Sequence, residues 1–269
     1  MLIKFFLSLL LISSLAGKCL SQQPDSVAIT HVQIKRSCDT TNIKPWLIGS
    51  ALITNNGINF VPTFSLNKPA AMFKFSAGKN RFSFEPEFNF SLEGKPWYFI
   101  FWFRYKLIQS DKFRLSTAAQ LGLNFPEEEV LVNGKTTEMI VTQRYIAADI
   151  APTYQVSKNF ALGIYYLHSH GVDPGTTNSL DFLTLNGSIS DIKIFKTVSL
   201  LIAPQLYYLH QDSMQGTYVA STFIFQKKFF PVSLSFIVNQ PLHTDITGGN
   251  KFNWNVSLVY FFDMLHSKS

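Results

Sequence analysis

Cysteine is nearly absent from this 269-residue chain, which has two, Cys19 and Cys38. Cys19 falls within the leader described below, so one cysteine remains after export and no intrachain disulfide holds the fold. Charge is also scarce, at 15% of residues, well under the content of an ordinary cytosolic enzyme. Gly and Pro, 14 and 12, are few beside 26 Phe, 10 Tyr and 4 Trp, which excludes collagen-like, linker-like and disordered chains. Beyond the leader no stretch reaches the ~18 consecutive apolar residues of a spanning helix. The most apolar segments alternate or carry proline, as at Pro204.

Residues 1–21 read as a secretory signal, with Lys4 in the basic region, Phe5 to Ile12 as the apolar stretch and Cys19-Leu20-Ser21 as a small-x-small cleavage site. Leu15-Ala16-Gly17-Lys18-Cys19 approaches a lipobox, but Lys18 intervenes before the cysteine, which argues against lipidation. Removing the leader takes away Lys4 and Lys18 and no acid, so the formal charge drops by two from +6. That is too mild a balance for nucleic-acid binding. The expected organisation is a leader (1–21), an N-terminal segment (22–45), one large domain (46–262) and a short tail (263–269).

The domain reads in strands. From Arg81 to Leu92 the residues alternate without a break. Phe82, Phe84, Pro86, Phe88, Phe90 and Leu92 share one face; Ser83, Glu85, Glu87, Asn89 and Ser91 share the other. Trp97 to Leu107 repeats the pattern after the turn Glu93-Gly94-Lys95-Pro96. Thirteen such segments are counted between Trp46 and Phe262, many of roughly 9 to 13 residues, nearer the ~9 to 11 of a tilted membrane strand than the ~5 to 6 of a soluble one. The connections alternate in length. Asn55-Asn56-Gly57, Lys79-Asn80, Gln109 to Asp111, Ser157 to Asn159, Lys196-Thr197 and Lys227 to Pro231 are brief; Pro126 to Glu138, Gly171 to Asn178, Gln211 to Gly216 and Gln240 to Asn250 fall between them.

These features resemble a Gram-negative outer-membrane β-barrel protein, a porin-like class, over nearly the whole mature chain. The last strand, Asn255 to Phe262, is similar to the barrel-assembly signal of polar, x, Gly, x, x, aromatic, x, aromatic, with Ser257 in place of Gly. The resemblance implies an all-β, up-and-down antiparallel transmembrane barrel in the outer membrane, with lipid and the barrel-assembly machinery as partners. Such a barrel has an even number of strands. Thirteen segments therefore resolve to fourteen, by adding Val27 to Lys35, or to twelve, by removing Trp46 to Ile53; the Asn56-Gly57 hairpin signal favours keeping the latter segment.

With the Phe face toward lipid, the charged face lines the lumen. A tight turn at Lys79-Asn80 sets Ala77 against Phe82 and Lys74 against Glu85. Pairing Leu92 with Trp97 sets Glu85 against Arg104, giving a Lys74, Glu85, Arg104 ladder. A three-residue turn at Gln109 to Asp111 sets Lys106 opposite Arg114, a repulsion relieved by water or by Glu87. The cluster reads as an anion-favouring constriction or, more commonly in such barrels, as ordinary interior charge balancing. Inward Tyr98 and Trp102 fill the interior or stack on a sugar. Trp97, Tyr154, Tyr207, Tyr208, Trp254 and Tyr260 read as strand-end aromatics at the lipid headgroup level.

Other chemistry is thin. His168 and His170 share a face near Asp173, yet no further His or Cys completes a metal site. His210 with Asp212 and Ser213, or His243 with Thr244 and Asp245, are the candidates for rim hydrolysis, without a nucleophile-elbow motif. Glu127-Glu128-Glu129 lacks calcium-ligand spacing, and Gly248-Gly249 belongs to no phosphate-binding motif. No cofactor or metal is expected. The leading expectation is a passive channel for small solutes; a plugged barrel that binds partners through its external loops comes second, a rim hydrolase third and a soluble secreted binding protein last.

Overall fold

The computed structural model describes residues 45–132, 135–249 and 251–263. It contains fourteen strands: β1 (Trp46–Thr54), β2 (Ala70–Lys79), β3 (Phe82–Ser91), β4 (Pro96–Gln109), β5 (Phe113–Asn124), β6 (Glu127–Val132), β7 (Lys135–Ile140), β8 (Gln143–Ser157), β9 (Phe160–Gly171), β10 (Leu180–Phe195), β11 (Val198–Gln211), β12 (Met214–Lys227), β13 (Val232–Thr244) and β14 (Asn253–Asp263). Twelve of them form one closed antiparallel barrel, in which each strand pairs with the next barrel strand along the chain, β5 with β8 included, and β1 pairs with β14. The remaining two, β6 and β7, form a separate hairpin within the β5–β8 connection. Closure removes every sheet edge, the condition a strand protein must meet in hydrocarbon.

The even strand number is twelve, but neither expected adjustment produces it. Trp46–Thr54 is a full barrel strand, paired on both sides. The surplus segment is the one after Gly57, because Asn56-Gly57 does not turn a hairpin. β1 pairs with β2 in a register that sets Thr54 against Ala70, and residues 55–69 form a long connection between them. Its base is tied by Gly57 N donating to Lys68 O and Leu66 N to Gly57 O, and Pro62–Phe64 makes one turn of 3-10 helix. The apolar residues that mimic a strand here are partly buried and pack against a buried cluster of the barrel instead. The Val27 to Lys35 segment and the leader lie outside the described residues.

The connections sort to two ends. Those after β2, β4, β8, β10 and β12 are short and share an end with the start of β1 and the finish of β14. The opposite end carries the β6–β7 hairpin, the β9–β10 and β13–β14 loops and, against expectation, the Asn55-Asn56-Gly57 segment. Period-two burial runs through the strands. In β14, Asn255, Ser257 and Val259 are buried while Trp254, Leu258 and Tyr260 are exposed. On β3 and β4 the outward phenylalanines pack across the strands, with Phe88 edge-on to Phe99 and Phe84 against Phe103. An outward apolar band around a polar interior is the reverse of a soluble protein and suits lipid.

Candidate functional site

The lumen begins with its charges. Arg104 projects inward from β4 and Asp149 from β8, and the strand between them, β5, presents Ala118 in the same row to both. Across two strand spacings, about 9.6 Å, only a long side chain over a small neighbour closes the gap. Arg104 Nη1 donates to Asp149 Oδ2 at 3.3 Å, with no exposed surface on either side chain. On its other side Arg104 Nε donates to Glu85 Oε2 at 3.2 Å. Tyr165 OH donates to Asp149 Oδ2, and Ser83 Oγ to Glu85 Oε1. One guanidinium is thus held between two carboxylates, each further fixed by a hydroxyl.

The register differs from the expected ladder. Lys79 pairs with Phe82, so the β2–β3 turn is two residues tighter and Lys74 faces Glu87, not Glu85. Its ammonium lies 3.0 Å from Glu87 Oε2. A slip of two keeps every side chain on its face, so the inward charges stay inward with new partners. Arg104 lies opposite Ser83 and reaches Glu85 diagonally. The Lys106–Arg114 opposition does not occur: Lys106 pairs with Ser116 and Arg114 with Gln109, after a bulge in β4. Lys106 sits over the Trp46 ring, and Arg114 donates to Gln155 Oε1 at 2.8 Å.

The two inward aromatics stand at different levels. Trp102 is buried beside Arg104, whose guanidinium carbon is 5.5 Å from its ring. Tyr98 lies toward the long-loop end, edge-on to Trp97 at 4.5 Å. Trp97 itself faces inward, a correction to its expected place in the lipid girdle. The bulge between Asn89 and Phe90 puts Trp97 and Tyr98 on the same side. Tyr207 is likewise buried, since adjacent Tyr207 and Tyr208 cannot both face lipid. Tyr154, Tyr208, Trp254 and Tyr260 are exposed outward.

Sequence reasoning missed the occupant of the lumen at the long-loop end. The β1–β2 connection folds inward, and Phe60, Val61 and Phe64 pack on a buried cluster that includes Tyr165, Phe182, Tyr207, Leu209, Tyr218 and Ile246. Phe60 meets Tyr207 edge-on at 5.6 Å and Phe64 meets Tyr145 at 5.2 Å. Trp97 Nε1 donates to Phe64 O at 2.9 Å, and Thr63 Oγ1 to Gln211 Oε1 at 3.2 Å. Contacts to β4, β8 and β11 from one loop mean that it crosses the lumen. The β13–β14 loop joins it, for a side-chain carbon at Gly249 would stand 2.4 Å from Tyr218 OH and 3.1 Å from Pro62. In sequence Ile58, Phe60, Pro62 and Phe64 alternate with Asn59, Val61 and Thr63 as in a strand, and Pro62 is the one residue that departs from that pattern.

At the same rim, charge ties fix the loops. Lys95 and Lys68 both pair with Glu127 at the base of the β6–β7 hairpin. The hydrogen bond from Lys95 holds the Glu127 carboxyl below its ordinary value. Asp173 grips Arg144, donor to both its oxygens, and this pairing lowers its pKa. Asp173 is therefore engaged away from the histidines. His168 Nδ1 lies 2.8 Å from Asp181 Oδ1, while His170 Nδ1 meets Asn178 O. Asp212 Oδ1 accepts from Asn178 N and Ser179 N, and Asp245 Oδ1 from Gln215 N, so both candidate rim acids hold backbone turns.

No protein-family model and no curated protein sequence matches the chain. Among solved structures, the KdgM porin in complex with disordered oligogalacturonate is similar over 80% of this chain and 98% of its own, at 10% identity and a TM-score of 0.50. The NanC porin aligns over 80% and 99% of the two chains, at 11% identity and 0.48. An outer-membrane channel from Pseudomonas putida F1 aligns over 85% and 100%, at 11% identity and 0.47. The chain has the fold of an outer-membrane porin barrel, and at these identities the likeness speaks to fold alone.

Proposed function

We propose that this protein is a porin-like channel through which small solutes pass the outer membrane passively. The observation that carries the reading is the inward placement of ionised side chains within a closed barrel whose outer face is apolar. Arg104, Asp149, Glu85, Lys74 and Glu87 are justified only by a polar interior. The short-loop end, which holds both ends of the barrel, faces the periplasm, and the long loops face outward. Residues 1–21 direct export, and the final strand engages the assembly machinery.

The charges along this lumen are mixed in sign rather than displayed as a basic stripe: with Lys106 and Arg114, four cations share it with three carboxylates. Lys74 is matched by Glu87, and Arg104 by Glu85 and Asp149. Passage is accordingly weakly selective between anions and cations. The β1–β2 loop narrows the outer half and sets the size limit. Osmotic swelling of proteoliposomes tests the reading: entry of small polyols above the rate of protein-free vesicles supports it, and equal rates from folded protein overturn it.

A further inference from the structure

The short-turn end of the barrel is basic. Each of its five connections contains one cation: Arg81, Lys112, Lys158, Lys196 and Lys228. Lys79, Lys193 and Lys227 stand at the strand ends beside them, so eight cations accompany three acids near this rim, Asp111, Asp191 and Asp263. None of the eight is ion-paired among the described residues. At the long-loop rim, by contrast, Lys68, Lys95 and Arg144 all hold carboxylates.

Half of this charge gathers in one place. The β10–β11 and β12–β13 turns are neighbours, joined where Lys228 N donates to Thr197 O at 2.8 Å. Together they present Lys193, Lys196, Lys227 and Lys228, all exposed. Apolar rings stand among these lysines: Phe195 is 70%, Phe230 52% and Phe229 94% exposed, with Lys228 Nζ 4.8 Å from the Phe229 ring. Phe229 is costly where it stands. Its φ of 61° is left-handed, a conformation that the described residues otherwise give, glycine apart, only to Asn67, Asn80, Asp191 and Asp212. A bulky ring there strains the backbone and, in water, leaves nearly all its apolar surface wet. Asparagine or glycine would make the turn without either cost.

The level of the patch says what covers it. On β12 Thr222 and Ile224 are buried, so Phe223, Phe225 and Lys227 share the outward row. Lys227 is thus the first cation beyond the apolar band, about 7 Å past Phe225 along the strand. That is the depth of lipid headgroups, where a lysine stem lies along acyl chains and its ammonium reaches phosphate.

We infer that the β10–β11 and β12–β13 turns form a binding site for an anionic phospholipid of the leaflet they face. The four lysines supply the charge that meets its phosphate, and Phe195, Phe229 and Phe230 lie against its glycerol and upper acyl carbons. An inorganic phosphate would use the lysines alone and leave three rings wet. On the orientation given above, the leaflet is the periplasmic one. The site needs the barrel to sit in a bilayer and does not depend on whether the lumen conducts.

Native mass spectrometry of the refolded full-length protein tests the site, with phosphatidylglycerol or phosphatidylcholine added to the detergent. Phosphatidylglycerol should remain on the barrel as a single adduct, and phosphatidylcholine should not. Changing Lys193, Lys196, Lys227 and Lys228 together to Gln should lower that adduct at least about fivefold, the scale of one lysine at an anionic surface. Changing Lys79, Arg81, Lys112 and Lys158 to Gln removes the same charge from the other turns and should leave it in place. Equal loss in the two variants, or loss in neither, overturns the site.

Phe229→Asn separates the lipid from its headgroup alone. Asparagine suits the left-handed φ, so the variant should fold at least as well, with unchanged strand content by circular dichroism, yet retain less phosphatidylglycerol. Undiminished retention that inorganic phosphate competes away would make the patch a simple anion site and contradict the inference. Absence of any adduct on folded, unsubstituted protein would contradict it as well, and would point to an acidic protein as the occupant.

Discussion

Arg104 and Asp149 meet over the methyl group of Ala118, three residues in one row on β4, β5 and β8. The pair is fully buried, and a buried pair is more important for its completeness than for its net stabilisation. Removing Arg104 leaves the buried Asp149 without its cation, and removing Asp149 leaves Arg104 with Glu85 alone.

Asp149→Ala and Arg104→Met should each destabilise the folded barrel by about 3 to 5 kcal/mol. The double variant Arg104→Met with Asp149→Leu should recover much of that loss. Urea unfolding in lipid vesicles measures both, and strict additivity of the two single losses would show that the side chains are not coupled.

Ala118→Leu should have a similar effect without touching a charge, because its side chain fills the space through which the ions meet. Ala118→Gly leaves that space open and should cost about 1 kcal/mol or less, the ordinary penalty of glycine in a strand. Equal stabilities for the leucine and glycine variants would contradict the geometry.

The β2–β3 register makes Lys74 the partner of Glu87. Reversing Lys74 to Glu should weaken the barrel slightly, and Glu87→Lys in the same chain should restore about 0.5 kcal/mol, the scale of a partly wet cross-strand pair. Rescue by Glu85→Lys instead would restore the register anticipated from sequence.

The rim tie of Glu127 depends on pH. Its folded pKa lies below the ordinary 4.5, so its contribution is present above that value and lost as pH falls through the lower, folded one. Lys95 is raised above 10.5, so its share is present below that value and lost as pH rises through the folded one. Between these limits the β6–β7 hairpin should be held, and proteolysis within it should accelerate at the acid limit. Glu127→Gln should be cut readily at neutral pH; if it is not, the tie does not hold the hairpin.

The β1–β2 loop should limit conductance. Replacing residues 58–66 with a Gly-Ser linker of equal length removes Phe60, Val61 and Phe64 from the outer half of the lumen. Pore conductance should rise severalfold while the barrel remains folded. No rise would mean that the narrowest section lies elsewhere.

Much of the barrel was legible because period-two alternation survives every tertiary context: a strand between lipid and lumen has two different solvents on its faces. Phe82 to Ser91 gave its faces without ambiguity, and the inward side of Arg104, Glu85 and Lys74 followed. Register was not legible, since a shift of two leaves the pattern intact and only turn geometry decides it. Asn80, at a left-handed φ of 57°, makes the β2–β3 turn tighter than the charges alone suggested. The loop over 55–69 was misread because its apolar residues face a buried aromatic cluster rather than lipid, a distinction absent from local spacing. Asp149 was missed for a related reason. A lone acid among alanines and isoleucines shows no partner until β4, β5 and β8 are brought side by side.

The central claim is that the barrel conducts. Single-channel recording of the refolded protein in a planar bilayer, under a salt gradient, tests it most directly. The account predicts steady, discrete openings with a reversal potential near zero, as lumen charges of both signs in near balance require. Silence from protein shown to be folded, or strong anion preference, would contradict it.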